Sequence, residues 1–365
     1  MNTSQKCRIT DYHNYNHEEE KSGTTKEDCR LLVIGGGTGG CSVAAKFASK
    51  LGKNRVIVID PADNHYYQAM FTMIGAGAKK LSESHRPMKQ VLPADALWLK
   101  EKVTEIDPQK NQVRTENGST VEYDFMIPGL FDALNDPQSG VCSNYSPLYV
   151  TKTFQCMKQL KSGNAIFTYP NSPVKCAGAP QKIAYLTAHH AQKNGKTGVQ
   201  VIYHTSLPVI FKCPKYADSL WKVVKQKNVQ VHLNSDLYEM LHVTPPQYPS
   251  PLISLNKQLS DASGFLAVNK DTLQHVKFPN IFAGQLGVLR KNLKAAMESK
   301  DPKAAYDGYT SCPLVTGYGT CIMAEFDYDC KPLETFPFDQ GVERRTMYHM
   351  KKDIMPILYF QLMLR

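Results

Sequence analysis

Three patterns in this sequence could do chemistry: one glycine-rich turn and two cysteines in unusual settings. The apolar run Leu31-Leu32-Val33-Ile34 leads into Gly35-Gly36-Gly37-Thr38-Gly39-Gly40 and then into the small-residue stretch Cys41-Ser42-Val43-Ala44-Ala45. A second apolar run, Val56-Ile57-Val58-Ile59, ends in Asp60. Strand, turn, helix and strand in that order form a βαβ unit with the dinucleotide fingerprint at Gly35, Gly37 and Gly40. Gly35 permits a tight turn, Gly37 lets backbone amides approach a diphosphate, and Gly40 lets helix and strand pack closely. The helix N-terminus attracts the diphosphate, and Asp60 can accept hydrogen bonds from ribose hydroxyls. The competing reading is a glycine-rich turn that holds no ligand.

Cys176 follows Lys175 in a loop expected between a strand and a helix. A helix N-terminus and a neighbouring cation both favour thiolate, so Cys176 is a candidate reactive thiol. It could equally be a small hydrophobe filling a turn, and the local sequence leaves both open. Cys312 lies in the polar, turn-forming run 306–317, which has neither helical nor strand periodicity. That setting differs from the apolar runs that hold most buried cysteines, although a structural role remains the default. The chain has 10 cysteines and no CxxC, which argues against a disulfide scaffold and a zinc ribbon. Cys321 and Cys330 flank a strand-like segment and read as structural. The histidines show no metal-ligand spacing; His189 and His190 are adjacent on an expected helix and face different ways.

The elements that must position these residues can be read coarsely. A second βαβ unit runs from a strand at 164–169 through a helix at 181–192 to a strand at 199–203. Its turn, Pro173-Val174-Lys175-Cys176-Ala177-Gly178-Ala179-Pro180, has no glycine fingerprint, which disfavours nicotinamide binding there. Short strands are expected at 98–106, 112–123 and 278–283, and a basic amphipathic helix at 288–299. With 365 residues, 42% hydrophobic and 21% charged, the chain can bury the cores of two or three domains. Residues 1–29 are polar and acidic and are expected to be a disordered lead-in, without a signal-peptide core or the acid-poor character of a transit peptide. Formal net charge is +10, which favours an anionic partner: a lipid surface, a nucleic acid or a phosphorylated cofactor. No run of 18 apolar residues exists, so no conventional transmembrane helix is expected. The most apolar stretch, 354–364, follows Arg344, Arg345, Lys351 and Lys352.

Several motifs together resemble the eukaryotic mitochondrial sulfide:quinone oxidoreductases. They are Lys175-Cys176-Ala177-Gly178-Ala179-Pro180-Gln181-Lys182, Tyr309-Thr310-Ser311-Cys312-Pro313-Leu314-Val315, Glu334-Thr335-Phe336-Pro337-Phe338-Asp339, His65-Tyr66-Tyr67-Gln68 and Leu241-His242-Val243-Thr244-Pro245-Pro246. The resemblance runs from about Leu31 to the C-terminus. It implies an α/β flavoprotein with two Rossmann-like dinucleotide-binding-type domains and a C-terminal membrane-associating region. On that pattern residues 30–150 begin the FAD domain, 151–270 form the second domain with Cys176, 271–338 return to the FAD domain with Cys312, and 339–365 form the amphipathic membrane segment. FAD would lie on the fingerprint, with Gly35, Gly37, Thr38, Gly39, Gly40, Asp60, Gln68 and Val103 among its contacts. The resemblance also implies that Cys176 and Cys312 are a redox pair. Hydrosulfide would open their disulfide by thiol–disulfide exchange, leaving a persulfide on Cys312 and a thiolate on Cys176 facing the flavin. Two electrons would pass through FAD to ubiquinone, and the sulfane sulfur to glutathione or sulfite. The implied address is the inner mitochondrial membrane surface, where residues 354–364 would lie in the interface, with no nucleic acid and no metal involved.

Three places depart from the family pattern. Pro128-Gly129-Leu130 follows Phe125-Met126-Ile127 where the family has a small-residue turn near the flavin. Leu233 joins Met240-Leu241-His242 through a short link. Gly284-Gln285-Leu286-Gly287 lacks the acid that the family uses to hold the ribityl chain. The chain, ending at Arg365, is also expected to stop short of the family's end. Such gaps spare the adenosine end and weaken the ring end. Two expectations follow: a working sulfide:quinone oxidoreductase, or a shortened, catalytically impaired form with weak FAD binding. A pyridine-nucleotide-linked disulfide reductase is disfavoured by the missing second fingerprint and the missing CxxC.

Overall fold

Along a strand, successive side chains point to opposite faces, so the unbroken apolar run at 31–34 requires cover on both sides. The computed structural model, which describes residues 26–127, 142–235, 249–284 and 286–364, supplies both covers. Strand β1 (Lys26–Ile34) pairs in parallel with β2 (Val56–Ile59) and β8 (Thr120–Ile127), and β2 pairs in parallel with β5 (Ala96–Leu99). Antiparallel β7 (Gln112–Thr115) and β6 (Val103–Asp107) complete a six-stranded sheet of order β5-β2-β1-β8-β7-β6. Leu31 and Val33 join Val43, Ala44, Phe47 and Ala48 of α1 (Thr38–Leu51) and Leu289 and Leu293 of α8 (Leu286–Met297). Leu32 and Ile34 face the opposite core, with Ile106, Val113, Val121 and Tyr123, and with Ile253 of α7 (Pro251–Ser254). A short ribbon of β3 (Asn64–Tyr66) and β4 (His85–Pro87), with α2 (Phe71–Gly75) and α3 (Met88–Val91), borders the glycine turn.

The second unit is a three-stranded parallel sheet of β9 (Gly163–Tyr169), β10 (Val199–Thr205) and β11 (Val229–His232), in the order β11-β10-β9. Helix α5 (Ala179–Lys193) crosses from β9 to β10, and α6 (Pro214–Gln226) from β10 to β11. Helix α4 (Val150–Gln159) and α2 pack into the same core, where Ile183, Ala184, Tyr185 and Leu186 of α5 are buried. Strands β12 (Thr310–Gly317) and β13 (Thr320–Phe326) form a hairpin in that core. The chain then runs through α9 (Arg345–His349), a π turn at Met350–Ile354, α10 (Met355–Leu358) and a second π turn at Tyr359–Met363.

Several expectations change. The strand expected after a lead-in ending at residue 29 begins at Lys26, because Lys26, Glu27, Asp28 and Cys29 pair with Thr120, Val121, Glu122 and Tyr123. Residues 98–106 divide into β5 and β6 around the charged Lys100-Glu101-Lys102, and 112–123 divide into β7 and β8 at a turn. Residues 278–283 form isolated bridges rather than a strand. Cys312, placed by sequence in an irregular turn, sits inside β12 opposite Ala324. The departures at 128–130, at 240–242 and at Gln285, and the motif at 241–246, lie outside the described residues.

Candidate active site

Helix α5 starts after the N-cap Gly178, with Pro180 in its first turn, where a missing N–H leaves no bond unmade. Cys176 lies just ahead of that cap and is partly buried. Strand β12 brings Cys312, only 8% exposed, to the same point. The two thiols are hydrogen-bonded to each other. Their approach depends on a glycine: a Cβ on residue 178 would lie 2.9 Å from Cys312 Sγ and 2.6 Å from Leu314 Cδ2. The Tyr145 hydroxyl donates to the Cys176 carbonyl at 3.0 Å and holds the turn from the other side.

Two buried lysines face the pair. Lys182, on the first turns of α5, donates from Nζ to Cys176 Sγ at 3.5 Å. Lys351, from the C-terminal helical run, donates to the Ala69 carbonyl at 3.2 Å and adds its charge to the same cluster. The Cys312 thiol that donates to it, then Lys182, Lys351 and the Gly178 N–H, hold Cys176 well below the usual thiol range. Cys312 is pushed up, first as the donor in that hydrogen bond and then by burial. Both effects favour the thiolate on Cys176 over Cys312. Burial alone would lower Lys182, but the neighbouring Cys176 sulfur, which also accepts its hydrogen bond, outweighs it and keeps the ammonium charged. Lys351 is pushed down to about 8 by burial and by the Lys182 charge. Once oxidised to a disulfide, the pair, with two cations at hand, is suited to exchange with an anionic sulfur nucleophile, with Cys176 as the favoured leaving thiolate.

The glycine turn forms a separate cradle. Gly37, Thr38 and Gly39 are exposed, and a Cβ on Gly37 or Gly39 would meet nothing within 4 Å. At Gly40 a Cβ would instead run into the Gly35 carbonyl, so this glycine serves the close crossing of α1 over β1. Asp60 accepts from the Gly36 N–H at 2.5 Å and from the Ala62 N–H at 2.7 Å, which fixes its carboxylate beside the turn. An open, amide-lined helix N-terminus with an oriented acid at the next strand's end fits the adenosine-diphosphate half of FAD. Gln68 accepts from Lys175 Nζ at 3.4 Å and so connects the region beside the cradle to the Cys176 loop. Val103 has its side chain in the core, 4% exposed, with Leu32 and Ile34.

The C-terminal run touches both sites. Its Lys351 serves the thiols, and its Tyr359 hydroxyl lies 2.7 Å from Thr38 Oγ1 and 2.6 Å from His65 Nε2. Tyr359 is buried and stacks on Tyr67 at 4.3 Å. On the same run Ile354, Ile357, Leu358, Leu362 and Met363 are exposed. No helix among the described residues is long and apolar enough to cross a membrane.

Of the residues expected from sequence, Cys176 and Cys312 meet, while Gly35, Gly37, Thr38, Gly39, Gly40 and Asp60 gather at the first turn. Lys182, Lys351, Tyr145 and Tyr359 were not anticipated. Lys182 did leave a signal, a lysine in the first turns of a helix whose start is otherwise uncharged, whereas Lys351 and Tyr359 reach their partners only through tertiary folding.

No family model matches the chain. A mitochondrial sulfide:quinone oxidoreductase from Mus musculus is 40% identical over 397 aligned positions, covering 94% of this chain and 88% of that protein. Those positions outnumber the 365 residues here, so that relative carries segments without a counterpart in this chain. The Schizosaccharomyces pombe protein of the same name is 32% identical, covering 92% of this chain and 90% of its own length. In fold, the chain is similar to the crystal structure of the sulfide:quinone oxidoreductase of Aquifex aeolicus, with a TM-score of 0.75 at 17% identity and 89% of each chain covered. On the identity and coverage of the first two, the chain belongs to the family of mitochondrial sulfide:quinone oxidoreductases.

Proposed function

We propose that this oxidoreductase oxidises sulfide through the Cys176–Cys312 pair and delivers the electrons to quinone. The observation that carries the reading is the meeting of two sulfurs, distant in sequence, at the N-terminus of α5 between buried Lys182 and Lys351.

In the oxidised pair, hydrosulfide attacks Cys312 Sγ. A new S–S bond forms there, the Cys312–Cys176 bond breaks, and its electron pair leaves as the Cys176 thiolate. Lys182 and the Gly178 N–H stabilise that leaving thiolate, and the buried cations also favour entry of the anion. A nucleophilic acceptor such as glutathione or sulfite then attacks the terminal sulfur, and the electron pair of the broken S–S bond stays on Cys312 as its thiolate. FAD, when bound, would supply the two-electron acceptor that links the pair to ubiquinone. Gly37, Thr38, Gly39 and Asp60 would hold its adenosine-diphosphate half, and Gln68 stands between that cradle and the thiols. The exposed apolar side chains of residues 354–363 support seating against a membrane interface, where a lipid-soluble quinone is met. The mitochondrial relatives support a mitochondrial address.

A second reading, a shortened form that holds FAD weakly, is favoured by the missing aligned segments and by the Tyr359–Thr38 contact. Purified protein reconstituted with FAD separates the two. Flavin absorbance between about 350 and 500 nm that sulfide bleaches and quinone restores supports turnover. Folded protein that retains no flavin and reduces no quinone supports the second reading.

A further inference from the structure

The buried polar chain beneath the glycine turn has a direction, and that direction bears on cofactor binding. His65 Nδ1 lies 2.8 Å from the Gly36 carbonyl oxygen. Two acceptors at that distance would repel, so Nδ1 carries the proton and donates it. The Cys41 thiol donates to the same carbonyl at 3.0 Å, which uses its only proton. Burial lowers His65, so its ring is neutral and Nε2 is an acceptor. The Tyr359 hydroxyl, 2.6 Å from Nε2, must therefore donate to it. Its oxygen is left to accept from the Thr38 hydroxyl at 2.7 Å.

We infer that the docked C-terminal helix opposes cofactor binding by holding the Thr38 proton away from the cradle, so that Tyr359 and a diphosphate compete for one hydroxyl donor. With its proton committed to Tyr359, the exposed Thr38 hydroxyl has only lone pairs left to offer a ligand at the turn. An anionic diphosphate is repelled by that face and attracted by the opposite one. The helix is held in this position by several independent contacts. Tyr67 stacks on the Tyr359 ring, Lys46 donates to the Leu362 carbonyl at 3.2 Å, and Leu364 is buried. Full engagement of the diphosphate by Thr38, added to the backbone amides of the turn, thus needs either loss of the Tyr359–Thr38 bond or displacement of residues 359–364. Tyr359 acts through Thr38 and is a positioning residue. The inference rests on the flavin reading of the cradle.

The test is a titration of FAD into the full-length apoprotein, followed by flavin fluorescence. Tyr359→Phe keeps the ring stack and frees the Thr38 proton, and should bind FAD roughly tenfold more tightly, the scale of one hydrogen bond to a charged group. In a Thr38→Val background the same substitution should change the affinity by less than about twofold. In the unmutated chain, amide exchange of residues 355–363 should speed up when FAD is added, which provides a reading even if Tyr359→Phe folds poorly. Equal or weaker binding by Tyr359→Phe, a gain that persists without the Thr38 hydroxyl, or slower exchange with FAD would overturn the inference while leaving the flavin reading intact. Folded protein that binds no FAD in any variant would overturn both.

Discussion

The two βαβ units place a helix N-terminus at equivalent points, and the two turns use it in opposite ways. At the start of α1 the turn is open: Gly37, Thr38 and Gly39 are exposed, and the space a Cβ would take at Gly37 is empty. At the start of α5 the turn is closed, because Cys312 and Leu314 from β12 fill the space over Gly178. Both helix ends favour negative charge, since unpaired N–H groups and the helix dipole point the same way. The first leaves that field open, where the proposed cofactor's diphosphate would sit. The second applies it to a resident thiolate, with Lys182 added because a buried sulfur anion needs a partner. A glycine thus leaves space open in one unit and makes room for protein in the other.

The sharpest way to break this comparison is to remove the resident anion. Cys176→Ser and Cys312→Ser should each lower sulfide-driven quinone reduction by about a thousandfold or more, because each deletes one end of the exchange reaction. Cys321→Ser should stay within about threefold, since that thiol is fully buried and pushed up to about 12 by burial. Equal activity in all three variants would return the pair to a structural role.

The glycines come next. Gly37→Ala should lower the urea midpoint only slightly, through loss of a glycine N-cap, because its backbone φ of −71° suits any residue and its Cβ meets nothing. It should nonetheless weaken FAD binding by roughly tenfold or more, measured by flavin fluorescence, as the methyl enters the diphosphate's space. Gly178→Ala should do the reverse: cost about 1–3 kcal/mol of stability through overpacking against Leu314 and Cys312, with FAD affinity at the first turn nearly unchanged. If both variants lost stability alike, the open and closed turns would not differ as described.

How much of this was legible in the sequence follows from the range of each interaction. The first unit was readable because strand, turn, helix and acid lie close together and each obeys a local rule: alternation for β1, conformational freedom for the glycines, burial on both faces for β2. The sequence placed Cys312 in an irregular turn because Tyr, Gly, Ser and Pro surround it. Yet residues 310–317 form a strand, held by pairing with β13 and by burial of Leu314 and Val315. Phe278-Pro279-Asn280-Ile281 has the apolar content of a strand, but only single bridges form around Met126 and Ile281. Lys351 and Tyr359 gave no local sign of their roles, because the residues they serve lie on remote segments. On the sequence alone both belong to an apolar tail with flanking charge; in the fold one is a buried cation at the thiols and the other a buried hydroxyl at the cradle.

Lys351 allows the mildest and most specific test of the closed turn. Its ammonium is pushed down to about 8 by burial and by Lys182, whereas an unfolded lysine keeps the ordinary value of 10.5. Between those values the unfolded chain binds more protons than the native one, so this group makes stability rise with pH from about 8 to 10.5. Cys176, depressed below the usual thiol range, also makes stability rise with pH, but its contribution is complete once the unfolded thiol ionises near 9.0. Comparing urea midpoints of the native chain and Lys351→Met reads the lysine most cleanly above pH 9.0, where the contribution of Cys176, which Lys351 also influences, is complete. The native chain should gain up to about 3 kcal/mol over the variant as pH rises through the window. A pH-independent difference would mean that Lys351 reaches water and does not share the enclosed field of the thiols. The anion at α5 would then rely on Lys182 and the helix end alone, much as the guest at α1 relies on its turn.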